Sequence, residues 1–136
     1  MSKLLAKAHV KLKNAEYDYS NIGTDDAFLD DCCYNLQQSI EFGLKYIVEM
    51  HGENYVETHD VRAQINKLKS LGVELPFFEK IRALAGTLNS WETEARYNDD
   101  FTALIEDVED SRVLAREILF YCDGLVQVED PEEPAS

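Results

Sequence analysis

Much of the common chemistry of small proteins is excluded by what this chain does not contain. Cysteine is scarce: Cys32, Cys33 and Cys122 are an odd number with no CxxC spacing. Neither a disulfide framework nor a zinc knuckle follows, and buried, reduced thiols are expected. The three histidines, His9, His51 and His59, stand three or four residues from no other histidine or cysteine. There is no HExxH and no Glu-x-x-His pair, so no metal site and no cofactor are expected. The glycines are scattered and make neither a GxGxxG nor a Walker loop, and no serine sits in a nucleophile elbow. The N-terminus, Met1-Ser2-Lys3-Leu4-Leu5-Ala6-Lys7, has no long apolar core of a signal peptide. No stretch approaches the roughly 18 apolar residues that span a bilayer. A cytoplasmic protein without a membrane segment is expected.

What is present is an acidic chain with enough apolar material to fold. The 136 residues fit one domain, 45% of them are hydrophobic, and seven Tyr, six Phe and one Trp supply packing volume. The formal net charge is −14. Four of those charges, Glu129, Asp130, Glu132 and Glu133, lie in the last eight residues, and the remaining body is still strongly acidic. Such a surface repels phosphate backbones at long range. Binding to bulk DNA is therefore not expected, although a local basic pocket remains open.

The apolar residues recur at helical spacing. Leu4, Leu5, Ala8, Leu12, Ala15 and Tyr19 predict a helix over 3–20. Asn21-Ile22-Gly23 stops it, with Gly23 available for a left-handed helix end. Thr24-Asp25-Asp26 is a start signal for a second helix over 26–51. Its stripe runs through Leu29, Cys32/Cys33, Leu36, Ile40, Gly43/Leu44 and Ile47/Val48, the pattern of a central bundle helix. Tyr34, Phe42 and Tyr46 widen that surface, which points either to deep burial or to a dimer contact with these three as interface candidates.

Thr58 reads as the cap of a third helix over 59–71, and Pro76 suits the first turn of a fourth that follows Phe77/Phe78, Ile81, Leu84/Ala85 and Leu88. Asn89 to Asp100 reads as a polar loop carrying Trp91, Arg96 and Tyr97. A last helix is expected over 101–126, and residues 127–136 as a disordered acidic tail. No alternating strand pattern appears. The fold class is all-α, an up-and-down bundle of about five helices.

Two constellations could carry chemistry. Thr58-His59-Asp60-Val61 is explained by helix capping, or it presents His59 to a pocket. In Ala95-Arg96-Tyr97-Asn98, Arg96 either pairs with a bundle carboxylate or offers its guanidinium to a phosphate, with Tyr97 as a stacking ring.

In this order, these segments resemble the HEPN family (higher eukaryotes and prokaryotes nucleotide-binding domain). Asn35-Leu36-Gln37-Gln38-Ser39-Ile40-Glu41-Phe42-Gly43-Leu44-Lys45 looks like the family's "QQAxExxLKAxL" helix, Thr58-His59-Asp60-Val61 like its "THDL" and Ala95-Arg96-Tyr97 like its "ARYP". The first helix, with Ala15-Glu16-Tyr17-Asp18-Tyr19, completes the likeness over residues 3–126. The resemblance implies a HEPN-like helical domain over 1–126 that pairs as a homodimer. It also implies a small nucleotidyltransferase as partner, in a toxin–antitoxin-like pair, or a nucleotide or RNA ligand.

Members of the family that cleave RNA without metal carry an Arg followed four to six residues later by a His. Arg96 fills the Arg position here, but Phe101, Thr102 and Ala103 stand where the His would. The acid–base agent is missing. A non-catalytic binding module follows, with Arg96, Tyr97 and His59 as nucleotide- or phosphate-binding candidates. The alternatives are a divergent metal-independent RNase toxin using Arg96, with His59 as a substitute base, and an acidic helical adaptor.

Overall fold

The structure is a computed structural model that describes residues 2–129, with side chains described through Val126. It has five helices: α1 (Leu4–Ser20), α2 (Asp26–Met50), α3 (Val61–Ser70), α4 (Phe78–Tyr97) and α5 (Ile105–Glu129). No strand occurs among the described residues.

α2 is the axis of the bundle, because apolar residues occupy more of its circumference than one face can use. Cys32, Cys33, Leu36, Ile40, Leu44, Ile47 and Val48 are all fully buried. α1 packs along one side of it, α5 along another, and α3 with α4 along a third. The α1 contact is fastened by two buried bonds: the Ser39 hydroxyl donates to the Ala8 carbonyl at 2.9 Å, and the Cys32 thiol faces the Ala15 carbonyl at 3.4 Å. Against α5, Gly43 permits a close approach. A Cβ there would stand 2.8 Å from Ile118 Cγ2 and 3.3 Å from Leu119 Cδ2.

The cysteines behave as small apolar residues. Burial pushes the Cys32 and Cys122 thiols up to about 12 and Cys33 higher still. Asp18 is also buried. Burial, then the neighbouring carboxyl of Asp31, raises it to about 7, while the Asn35 amide donates to both acids at 3.1 Å.

Four expectations from the sequence change. The turn after α1 needs no left-handed residue: among the described residues positive φ occurs only at Gly52 and Gly72, and Thr24 closes the turn by donating from Oγ1 to the Asn21 carbonyl at 2.7 Å. The segment expected as a polar loop is helical through Tyr97, because Leu88, Trp91 and Ala95 continue the buried stripe at steps of three and four. α5 starts at Ile105 rather than 101, after a turn in which the Phe101 N–H donates to the Asn98 carbonyl at 3.0 Å. α5 also runs through Glu129, past the expected boundary at 126; residues 130–136 of the expected tail lie outside the described residues.

Candidate functional site

Polar residues at i, i+4, i+8 on a buried helix should be matched by partners, and those on α2 are. Gln37, Gln38, Glu41 and Lys45 are each at most 8% exposed. Gln38 Nε2 donates to Gln37 Oε1 at 2.8 Å, and Gln37 Nε2 donates to Glu41 Oε1 at 2.8 Å. Lys45 Nζ donates to Glu41 Oε2 at 2.7 Å and stands 4.9 Å from the Tyr55 ring centroid. The outcome is a buried, charge-neutral ladder with Glu41 at its centre.

The loop before α3 brings His59 to this ladder. Asp60 caps α3 by accepting from the Arg62 N–H at 3.0 Å, and Thr58 Oγ1 accepts from the Asp60 N–H at 3.2 Å. The cap is thus Asp60, two residues later than the expected Thr58. Asn89 of α4 ties this corner down: its Nδ2 donates to Asp60 Oδ1 at 2.8 Å and its Oδ1 accepts from the Val61 N–H at 3.2 Å. Although Asp60 loses solvent, these donors, Arg62 first, hold its carboxyl below the usual range. With both flanks fixed, His59 Nδ1 lies 3.1 Å from both oxygens of Glu41. A carboxylate only accepts, so Nδ1 carries a proton and Nε2 is turned outward. The imidazole is 63% exposed although its partner is buried.

α4 supplies the second half. Glu92 Oε2 lies 3.7 Å from His59 Nε2 and 3.3 Å from Arg96 Nη2. The imidazole and the guanidinium therefore converge on one carboxylate oxygen, and their nitrogens can be no further apart than those two legs laid end to end. Arg96 is in the last turn of α4, where a cation suits the negative helix end. Its Cζ stands 4.7 Å from the ring centroids of both Tyr34 and Tyr97. Tyr97 is 72% exposed.

The candidates expected from sequence fall into two groups. Arg96, Tyr97 and His59 meet at one corner, through Glu92. The dimer-interface candidates do not form one exposed face. Tyr34 is half-buried beside Arg96, and Phe42 is half-buried in a groove against α1. Tyr46 is taken up by the monomer's own core and is corrected as an exposed interface residue. The large exposed apolar side chains on the opposite side are Phe120 and Val113 of α5, which line a groove with Phe77 and Leu125. Glu41, Lys45, Asn89 and Glu92 were not anticipated; the polar i, i+4 spacing of 37, 41 and 45 inside an apolar helix was the available signal. Among the described residues no group of side chains is arranged to hold a metal ion, and no helix is long and apolar enough to cross a membrane.

Four helices around α2, with a polar corner where α2, α3 and α4 meet, define a small all-α bundle. The chain belongs to the HEPN family: the HEPN domain matches residues 1–125. That membership points to a nucleotide- or RNA-related function. No curated protein and no solved structure matches the chain.

Proposed function

We propose that this domain is a non-catalytic binding module that takes the phosphate of a nucleotide at the Arg96 corner. The observation that carries the reading is the guanidinium of Arg96 held between two tyrosine rings at 4.7 Å. The rings fix the plane of the fork, Glu92 engages Nε through its carbonyl at 3.2 Å and Nη2 through its carboxylate at 3.3 Å, and Nη1 is left to donate to a phosphate, with Tyr97 exposed for a base. His59 stands beside Arg96, and its Nε2 is a second donor when the ring carries both protons. Isothermal titration with ATP and GTP tests this. Binding that drops at least tenfold in Arg96→Ala and in His59→Ala supports it; affinity unchanged in both variants rules it out.

The module works as a homodimer that engages a small nucleotidyltransferase. The resemblance supports this partner, and the exposed Phe120 and Val113 give the homodimer an apolar surface. Sedimentation of the wild type and of Phe120→Glu checks the pairing, and a wild type that runs as a monomer at every concentration refutes it. Affinity purification from the host checks the partner, and its loss from the eluate at low salt counts against that assignment.

One observation favours a second reading, metal-independent RNA cleavage. His59 has the hydrogen-bonded carboxylate of an oriented acid–base group, and Arg96 stands within the same protomer's reach. Cleavage of a fluorogenic RNA in EDTA, abolished by His59→Ala, would establish it. Wild type that leaves the RNA intact removes it.

A further inference from the structure

Eight of the thirteen lysine and arginine side chains of this acidic chain are paired with a carboxylate. Lys45, Arg62, Lys67, Lys69, Lys80, Arg96, Arg112 and Arg116 all hold an ion pair. Among the described residues, the exceptions besides Arg82 are the four lysines of α1: Lys3, Lys7, Lys11 and Lys13. They occupy the first half of a helix whose first acidic residue is Glu16. A chain with 27 acidic residues could have paired them as it did the others.

Three of these lysines are aligned. Lys3, Lys7 and Lys11 recur every four residues, so they rise about 6 Å apart along one face. They form one wall of an open groove of about 450 Å³ whose other side is Gln38 and Phe42 of α2. The row does not end at Lys11. Its Nζ stands 5.4 Å from the Tyr34 ring, the same ring that Arg96 approaches to 4.7 Å. A line of positive charge thus runs from Lys3 across Tyr34 to Arg96, with Phe42 and Tyr34 as aromatic steps beside it. Asp30 and Asp31 line the hollow that Arg96 shares with Tyr34 and Tyr97, so an anion is favoured on the α1 side of Tyr34. The track therefore leads from Arg96 toward α1.

We propose that the Arg96 corner is one end of a track for single-stranded nucleic acid of several nucleotides, with Lys11, Lys7 and Lys3 meeting successive phosphates. The inference rests on the phosphate-binding reading of Arg96 and names its ligand class. Lysines in step with an extended backbone and interleaved with rings are the elements of sequence-tolerant strand binding. A duplex would bring its second strand against the acidic remainder of the surface. An anionic membrane fits poorly, because among the described residues Val10 is the only large apolar side chain exposed along this face.

Fluorescence anisotropy tests the track with a labelled eight-nucleotide oligouridylate and a labelled uridine dinucleotide. The variants are Lys7→Ala/Lys11→Ala, Lys7→Arg/Lys11→Arg and Arg96→Ala. The octamer is expected to bind the wild type more tightly than the dinucleotide. Lys7→Ala/Lys11→Ala should remove that advantage and lower the slope of log affinity against log salt for the octamer by about 1.4, or 0.7 for each lost single-strand phosphate contact. Lys7→Arg/Lys11→Arg should keep the advantage. An octamer that binds no better than the dinucleotide overturns the track while the Arg96 reading stands. Octamer binding that depends on the lysines but not on Arg96 upholds the strip and sinks the corner as its end. Failure of both probes to bind overturns both. Equal binding of an eight-base-pair duplex, or equal competition by polyglutamate, also overturns the proposal, because the lysines would then read charge alone.

Discussion

Replacing Lys45 with methionine keeps the stem of the side chain against Tyr55 and removes the only full positive charge bonded to Glu41. Glu41 is 2% exposed, so its carboxylate has almost no water to turn to. Removing one partner of a buried ion pair costs about 3–5 kcal/mol. Gln37 and His59 keep their bonds to Glu41, which places the expected loss near the lower end, about 3 kcal/mol. For a chain of this length that is a fall in Tm of about 10 °C. Urea unfolding followed by far-UV circular dichroism reads the loss directly. The companion variant Lys45→Met/Glu41→Gln removes the stranded charge while leaving an oxygen to accept from Gln37, and it should recover most of the stability. A loss below about 1 kcal/mol in Lys45→Met would mean that the pair is worth no more than a surface one. The buried ladder would then be wrong. A full loss that the double variant does not relieve would assign the effect to packing, and it would refute the electrostatic argument.

Other tests follow from the same structure. The carboxyl of Asp18 is raised from 3.8 to about 7 in the folded state, so its contribution is complete below the unfolded value and is lost as pH rises through about 7. Asp18→Asn should therefore flatten the decline in stability between about pH 4 and pH 7, by at most about 4 kcal/mol since Asp31 shares the proton; an unchanged pH profile would contradict this. Gly43→Leu should destabilise by at least about 2 kcal/mol, because its first carbon already meets Ile118, whereas Gly86→Ala, with open space around it, should be neutral or stabilising. Equal effects in urea titrations would show that the α2–α5 approach is looser than described. Native protein should resist a thiol reagent such as dithiobis-nitrobenzoate at pH 8, with all three cysteines reacting only after unfolding. Rapid labelling of any one of them in the folded state would refute its burial.

The helices were legible because this bundle relies on periodic burial, and periodicity survives in a single sequence. α1 and α2 show it plainly: each turn offers one or two apolar residues to a neighbour. The second half of α4 was missed because its turns carry a single apolar residue each, Trp91 and then Ala95, among Asn89, Ser90, Glu92, Thr93 and Glu94. That composition resembles a loop, and only the step of three from Leu88 to Trp91 betrays the helix. His59 and Arg96 were visible as unusual residues, but their meeting was not, since two helices of sequence separate them. Glu41 was the least legible. The i, i+4 spacing of the polar residues 37, 41 and 45 was its one signal, and it does not say that they are buried, because burial is set by what the neighbouring helices place over them.

The closeness of α5 to the backbone at Gly43 has a consequence for how this gene can change. α2 is a partition about 10 Å thick. Gly43 seats it against Ile118 on one side, while Glu41 and Lys45, two residues away in either direction, carry the polar ladder on the other. An inserted or deleted residue would turn everything beyond it by about 100°, sending carboxylate and ammonium into the dry seam and exposing apolar side chains at the corner. This stretch of sequence can drift by substitution, one face at a time, but it has no room for a change in length.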